Sequence, residues 1–225
     1  FEKAFDFAKS LSVDDNVSIR GIKMRSVSKF NESIEINGVN IGGGNLPYII
    51  AEAGMNHNGS LKVGKELIDE ALKTKCNAIK FQTFLPHSRI SSKIKSANYA
   101  EKADGIEETL YDMFSRLSMP FSEQKELFSY AREHGMEIFS TPFDIESVDF
   151  LEEMNVGAYK IASMDLVNLP LIEYVAKTQK PIILSTGMSN LGTIEDAIAV
   201  VAKAGNPNIA LLHCNSTYPA TEENM

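Results

Sequence analysis

Lysine seldom sits inside an apolar strand, because an unpaired ammonium is costly to bury. This chain has two lysines in such runs, Lys80 in NAIKFQ (77–82) and Lys160 in AYKIAS (158–163). Gln82 lies two residues beyond Lys80 and so on the same face of a strand. Other reactive groups close comparable runs. Glu52 ends YIIAE, and Thr141 and Phe143 follow MEIFS. Ser163 and then Asp165 follow Lys160. Ser185 ends PIILS ahead of a Thr-Gly pair, while Ser216 and Tyr218 follow NIALLHC. Two lysines, several hydroxyls and a Ser-Thr-Gly turn suit a phosphate or carboxylate. Lysine supplies charge, and hydroxyls and loop amides supply directional donors.

Each group also has a plainer reading. Glu52 at a strand end has the plainer use of accepting loop amides, though the functional reading is favoured, and Gln82 and Thr141 taken singly favour neither reading. His57 in NHNG reads as a loop-ordering residue ahead of a catalyst. His213, on a run expected to be a buried strand, fits a satisfied core histidine as well as a ligand. His87 and His134 read as surface residues. Cys76 and Cys214 read as reduced, buried thiols.

The elements that must hold these groups alternate. SIEINGVNIGGG (33–44) reads as a hairpin with an Asn-Gly turn. Strands are expected at 48–52, 77–82, 136–140, 158–163, 181–185 and 208–214. Helices are expected at 60–75 with Ser60 as cap, up to Gly135, and at about 145–154, 169–178 and 193–204. A polar insert from about 84 to 120 is expected to cover something. Short apolar strands alternating with helices imply a parallel α/β sheet. No GxGxxG follows the first strand, which disfavours the dinucleotide fold. Polar residues at the C-terminal strand ends favour a (β/α)8 TIM barrel, whose mouth lies there. Six units are two short of closure, so the chain is read as a barrel truncated after about six β/α units.

Residues 1–30 read as an N-terminal extension or the tail of an upstream region, with FEKAFDFAKSLS as a short amphipathic piece. Residues 31–225 read as the N-terminal part of the barrel. The 225 residues, 44% apolar and 23% charged, suffice for one large core. A net charge of -8 argues against nucleic acid as a partner. No apolar run reaches the ~18 residues of a membrane span, and no signal peptide is visible, so no membrane partner and a cytoplasmic location are expected.

The runs IAEAGMNHNGS, AIKFQTF, STPFD, AYKIAS, PIILSTGMS and LLHCNSTYPA occur here in that order. In order and spacing the chain resembles the N-acetylneuraminate (sialic acid) synthases, with legionaminate and pseudaminate synthases, over roughly 33–225. The resemblance implies a TIM barrel followed by a small antifreeze-like domain, with domain-swapped homodimers in the full-length enzyme. It also implies a phosphoenolpyruvate-dependent transferase of carbohydrate and surface-polysaccharide biosynthesis. Such an enzyme condenses phosphoenolpyruvate with an N-acetylated amino sugar, N-acetylmannosamine or a diacetamido hexose. The products are a nine-carbon 2-keto sugar acid and phosphate. By motif, Lys80, Thr141, Lys160, Ser163, Ser185 and Ser216 would bind phosphoenolpyruvate. Gln82, Asp165 and Tyr218 would face the sugar with Phe143 packing nearby, and Glu52 would sit close to the reacting centre. Glu52, Lys80 and Lys160 are thus the catalytic candidates. Position 165 is Asp where some members have Glu, and position 216 is Ser where some have Asn.

The resemblance further implies a divalent metal, manganese or magnesium, held by two histidines of later strands. Those segments, the last barrel strands and the antifreeze-like domain with its sugar-binding arginine, are expected beyond Met225, with no metal ligand within this chain. The expected reaction has C3 of phosphoenolpyruvate attacking the sugar aldehyde, water adding at C2, and phosphate leaving with its C–O bond cut. Two other readings stand beside it. One is a class I aldolase or lyase with Lys160 as Schiff base, the other a catalytically inactive binding fragment.

Overall fold

A computed structural model describes residues 18–19, 22–23, 30–91 and 109–217. The amphipathic piece expected at the N-terminus, Tyr218 and the middle of the polar insert lie outside the described residues. The chain forms two compact units, one of Leu46–Lys160 and one of Phe1–Asn45 with Ile161–Met225.

The latter unit contributes the first elements. The short strands β1 (Ser18–Ile19) and β2 (Ile22–Lys23) pair antiparallel. The expected hairpin is β3 (Ser33–Ile36) with β4 (Val39–Gly42). Its turn residues Asn37 and Gly38 both have positive φ, 45° and 84°, as a two-residue turn matched to strand twist requires. Ile34 and Ile36 are buried on one face. Asn31 anchors the hairpin by donating its N–H to the Pro207 carbonyl (3.0 Å) and its amide to Asn208 Oδ1 (2.7 Å).

In the Leu46–Lys160 unit, β5 (Ile50–Gly54), β6 (Ala78–Thr83), β7 (Glu137–Pro142) and β8 (Tyr159–Ile161) pair in chain order. All these pairings are parallel. Helix α1 (Leu61–Thr74) follows β5 and is capped by Ser60, whose side chain accepts from the Val63 N–H. It buries Ile68 and Ala71. Beyond β6 come α2 (Pro86–Arg89), α3 (Leu110–Leu117) and α4 (Phe121–Glu133). Helices α1 and α4 pack together and are cross-linked by Lys65–Glu126 (2.6 Å) and by Tyr130 donating to Asp69 (2.8 Å). Helix α5 (Ile145–Glu153) joins β7 to β8. Its cap Asp144 accepts from the Ser147 N–H (2.7 Å) with one oxygen and from the Leu85 N–H (2.9 Å) with the other. That carboxylate ties the start of α5 to the chain leaving β6.

The other unit continues with a 3-10 turn (Ser163–Asp165), α6 (Leu169–Ala176), β9 (Ile182–Ser185), α7 (Leu191–Lys203) and β10 (Ile209–Leu212). Strands β9 and β10 pair parallel, and α6 packs on α7. Asn168 and Asn190 cap the two helices. Fully buried Asn206 is satisfied, donating to the Lys180 carbonyl (2.8 Å) and accepting from the Asn208 N–H (2.9 Å). The architecture is α/β with β5 to β10 in one parallel set, and every expected strand is present with its ends within two residues of those expected. The strand expected at 208–214 ends at Leu212. His213 is therefore an exposed residue after the strand, not a core histidine. Both cysteines are free and only half-buried, where buried thiols were expected.

Candidate functional site

Strand β6 is buried on both faces, so its alternation sends Ile79, Phe81 and Thr83 one way and Lys80 and Gln82 the other. Lys80 opposes Glu52 on β5 and Phe139 on β7, and Gln82 opposes Thr141. Lys80 is 5% exposed. Its Nζ lies 2.9 Å from Glu52 Oε2 and donates to Thr141 Oγ1 at 3.0 Å. Burial lowers the ammonium pKa below the ordinary lysine value, while Glu52 opposes the shift. The register of β5 shifts between Glu52 and Gly54, a bulge that sets the chain beyond Glu52 out of step with β6. Glu52 Oε1 and Gln82 Nε2 lie 3.2 and 3.6 Å from the point a Gly54 Cβ would occupy, so both face the space beside Gly54.

A residue of the insert completes this group. Arg89 closes α2, and its Nη1 donates to Gln82 Oε1 (3.2 Å) and lies 4.0 Å from Met55 Sδ. Its guanidinium carbon stands 3.7 Å from the Phe143 ring centroid, 4.2 Å from that of Phe114 and 4.6 Å from that of Phe84. A second polar set braces the strands from the opposite face of β6. Buried Thr83 donates to Gln124 Oε1 (2.8 Å) and stands 2.7 Å from Ser140 Oγ, while Gln124 Nε2 donates to the Met119 carbonyl (2.7 Å). It fixes the neighbours in sequence of Gln82 and Thr141.

The other unit gathers serines. The Gly187 N–H donates to Ser163 Oγ at 3.0 Å. A Cβ on Gly187 would fall 2.6 Å from Ser216 Oγ and 2.9 Å from Ser163 Oγ, so a larger residue would push these hydroxyls aside. Buried Ser185 accepts from Cys214 Sγ at 3.3 Å. The cluster thus gathers three hydroxyls, groups that can donate to an anion, and the Gly187 N–H holds Ser163 in place among them.

Of the residues expected to act, Glu52, Lys80, Gln82, Thr141 and Phe143 share one neighbourhood, joined by the contacts of Lys80 and Arg89. Ser163 and Ser216 share another with Gly187, and Ser185 meets Cys214, whose carbonyl also faces Gly187. Lys160 is buried within β8, and Asp165 ends the 3-10 turn. His57 has the ordering role expected of it. It is 2% exposed, its Nδ1 accepts from the Gly59 N–H (3.0 Å), and burial lowers its pKa. His87 and His134 are exposed, as expected. Arg89 was missed because nothing in PHSR marks it, and its three aromatic partners come from separate segments. Cys214 was read as core filler, and only the contact with Ser185 brings it to the site. Among the described residues no three His, Cys, Asp or Glu side chains are grouped to hold a metal ion.

Residues 67–225 match the profile of the NeuB family. An N,N'-diacetyllegionaminic acid synthase of Campylobacter jejuni is 45% identical over 174 residues, which are 76% of this chain and 52% of that protein. A pseudaminic acid synthase of Helicobacter pylori is 36% identical, over 79% of this chain and 52% of its own length. The crystal structure of an N-acetylneuraminic acid (sialic acid) synthetase from Leptospira borgpetersenii, in complex with citrate, superimposes with a TM-score of 0.75 at 33% identity. The match covers 87% of this chain and 63% of that one. The chain spans about half the length of the curated relatives it matches.

Proposed function

Since the chain belongs to the NeuB family of sialic-acid-type synthases, we propose that it carries the phosphoenolpyruvate-binding part of a synthase barrel. In this reading the whole protein joins phosphoenolpyruvate to an N-acetylated amino sugar, giving a 2-keto sugar acid and phosphate. The observation that carries the reading is the buried ammonium of Lys80, held between Glu52 and Thr141 in a parallel strand. A cation kept there against its desolvation cost is suited to an anionic ligand. The 45% identity to a protein named for a product with two acetyl groups makes a diacetamido hexose the first sugar to test.

The residues divide the work by chemistry. Lys80 and Lys160 supply positive charge to the phosphate and carboxylate and stabilise charge as it redistributes. Thr141 positions the Lys80 ammonium and offers a hydroxyl. Ser163, Ser185 and Ser216 supply directional donors to the same class of anion. Gln82 and Glu52 face the sugar and the reacting carbons, and Asp165 and Tyr218 are assigned to sugar binding with Phe143 as packing. The metal, manganese or magnesium, would supply Lewis acidity from ligands outside the described residues, and the full-length protein would act as a homodimer. No described helix is long and apolar enough to cross a membrane, and the enzyme is proposed to work in the cytoplasm, where phosphoenolpyruvate is made.

The test uses the full-length protein with phosphoenolpyruvate labelled with oxygen-18 at the bridging position. We expect phosphate release to require both phosphoenolpyruvate and the amino sugar, with the label in the phosphate. Label retained at C2 would refute the C–O cleavage. A borohydride-trapped pyruvate adduct on Lys160 would replace the synthase by an aldolase.

A further inference from the structure

The Arg89 fork fixes the direction of an amide. An Asn or Gln side chain offers an acceptor at one end and two donors at the other, and its neighbours decide which end faces a ligand. Guanidinium has donors only, so the end of Gln82 that meets Arg89 Nη1 must be the carbonyl, at 3.2 Å. The amino end is thereby turned toward the space beside Gly54, which Glu52 Oε1 also faces. A donor and an acceptor converge there, the pair that recognises a hydroxyl group: Gln82 donates to its oxygen and Glu52 accepts its proton. Arg89 is itself fixed by three aromatic rings, of which Phe84 and Phe143 are buried and stand edge to face, centroids 6.1 Å apart. A planar cation stacks in such a cage, and a lysine in its place would keep the charge but lose the fork.

We propose that Arg89 is a positioning residue that locks the Gln82 amide with its amino group toward a hydroxyl of the amino sugar. The proposal rests on the assignment of Gln82 to the sugar, and it adds a residue of the insert as the part that sets the polarity of that contact.

The experiment is a double-mutant cycle in the full-length protein. Arg89→Met keeps most of the side-chain volume against the rings. We expect it to raise KM for the amino sugar roughly tenfold, the size of a lost charge-assisted hydrogen bond. KM for phosphoenolpyruvate should stay within about twofold. In a Gln82→Ala background the same change should leave the sugar KM where Gln82→Ala alone puts it. An unchanged sugar KM in the first background, or an equal penalty in both, overturns the proposal. A second measurement is independent of turnover and of folding failure in Arg89→Met. The side-chain amide NMR signals of Gln82, assigned by their loss in Gln82→Ala, should move in Arg89→Lys, and signals that stay in place overturn the lock. If the wild-type protein turns over no amino sugar, the synthase reading fails, and the NMR comparison still decides whether Arg89 orients Gln82.

Discussion

A lysine only 5% exposed needs compensation, and for Lys80 most of it comes from one carboxylate whose own side chain is 58% exposed. The asymmetry decides what removing the lysine would do. Truncating one partner of a fully buried pair is destabilising because the other charge is left in a low dielectric, but Glu52 returns to water when its partner goes. Lys80→Met retains the length and apolar stem and removes the desolvation cost. We expect the variant to be about 1–2 kcal/mol more stable than wild type, read as a higher Tm, while phosphate release falls below detection. A lower Tm would mean that the ammonium holds the strands together and was not retained for a ligand. The sequence made this residue legible, since a lysine between Ile79 and Phe81 has no easy structural excuse. Arg89 stayed hidden for the opposite reason: arginine in a polar insert is ordinary, and only folding brings Phe84, Phe114 and Phe143 around it.

At the level of elements, alternation of apolar runs with capped helices disclosed the parallel strands β5 to β10, because each is flanked by turn or cap residues such as Ser60, Asp144 and Asn190, whereas the short pair β1 and β2 lies in a stretch that reads as polar and irregular. The bulge at Glu52–Gly54 was not disclosed, since a register shift depends on both strands and leaves no periodic trace in one. The end of β10 was misjudged because Cys214 prolongs the apolar run, although the strand stops at Leu212 and His213 is exposed. Asp144 shows how much one cap carries. Its two oxygens serve two elements, the first turn of α5 and the backbone of Leu85 at the exit of β6. Asp144→Ala loses both acceptors and should cost about 2 kcal/mol. Asp144→Asn keeps the cap with its one carbonyl oxygen and strands the Leu85 N–H, so about half that loss is expected. Chemical denaturation of the three proteins would give the order. Equal stability of Asp144→Asn and wild type would show that the Leu85 bond contributes nothing.

At the scale of the whole molecule, each unit carries polar groups within or just beyond its parallel strands. In one, charge is concentrated on a buried lysine. In the other, hydroxyls crowd a glycine whose Cβ would fall 2.6 Å from Ser216 Oγ. In the proposed reading these are different means of holding an anion on a chain whose net charge is -8, and attraction would then have to be local and short-ranged. A ligand that binds only the native state raises stability by an amount set by its concentration over Kd, about 2.7 kcal/mol at a hundredfold excess. Saturating phosphoenolpyruvate should therefore raise the Tm of the full-length protein by several degrees. Gly187→Ala, which intrudes on Ser163 and Ser216 without touching Lys80, should melt near wild type without ligand, yet need roughly tenfold more phosphoenolpyruvate for the same shift. Lys80→Met should show no shift at all, and sodium sulfate at matched ionic strength should not reproduce the wild-type response. A phosphoenolpyruvate shift that survives in Lys80→Met would show that the lysine does not bind this anion. One that is unchanged in Gly187→Ala would show the same of the serine cluster.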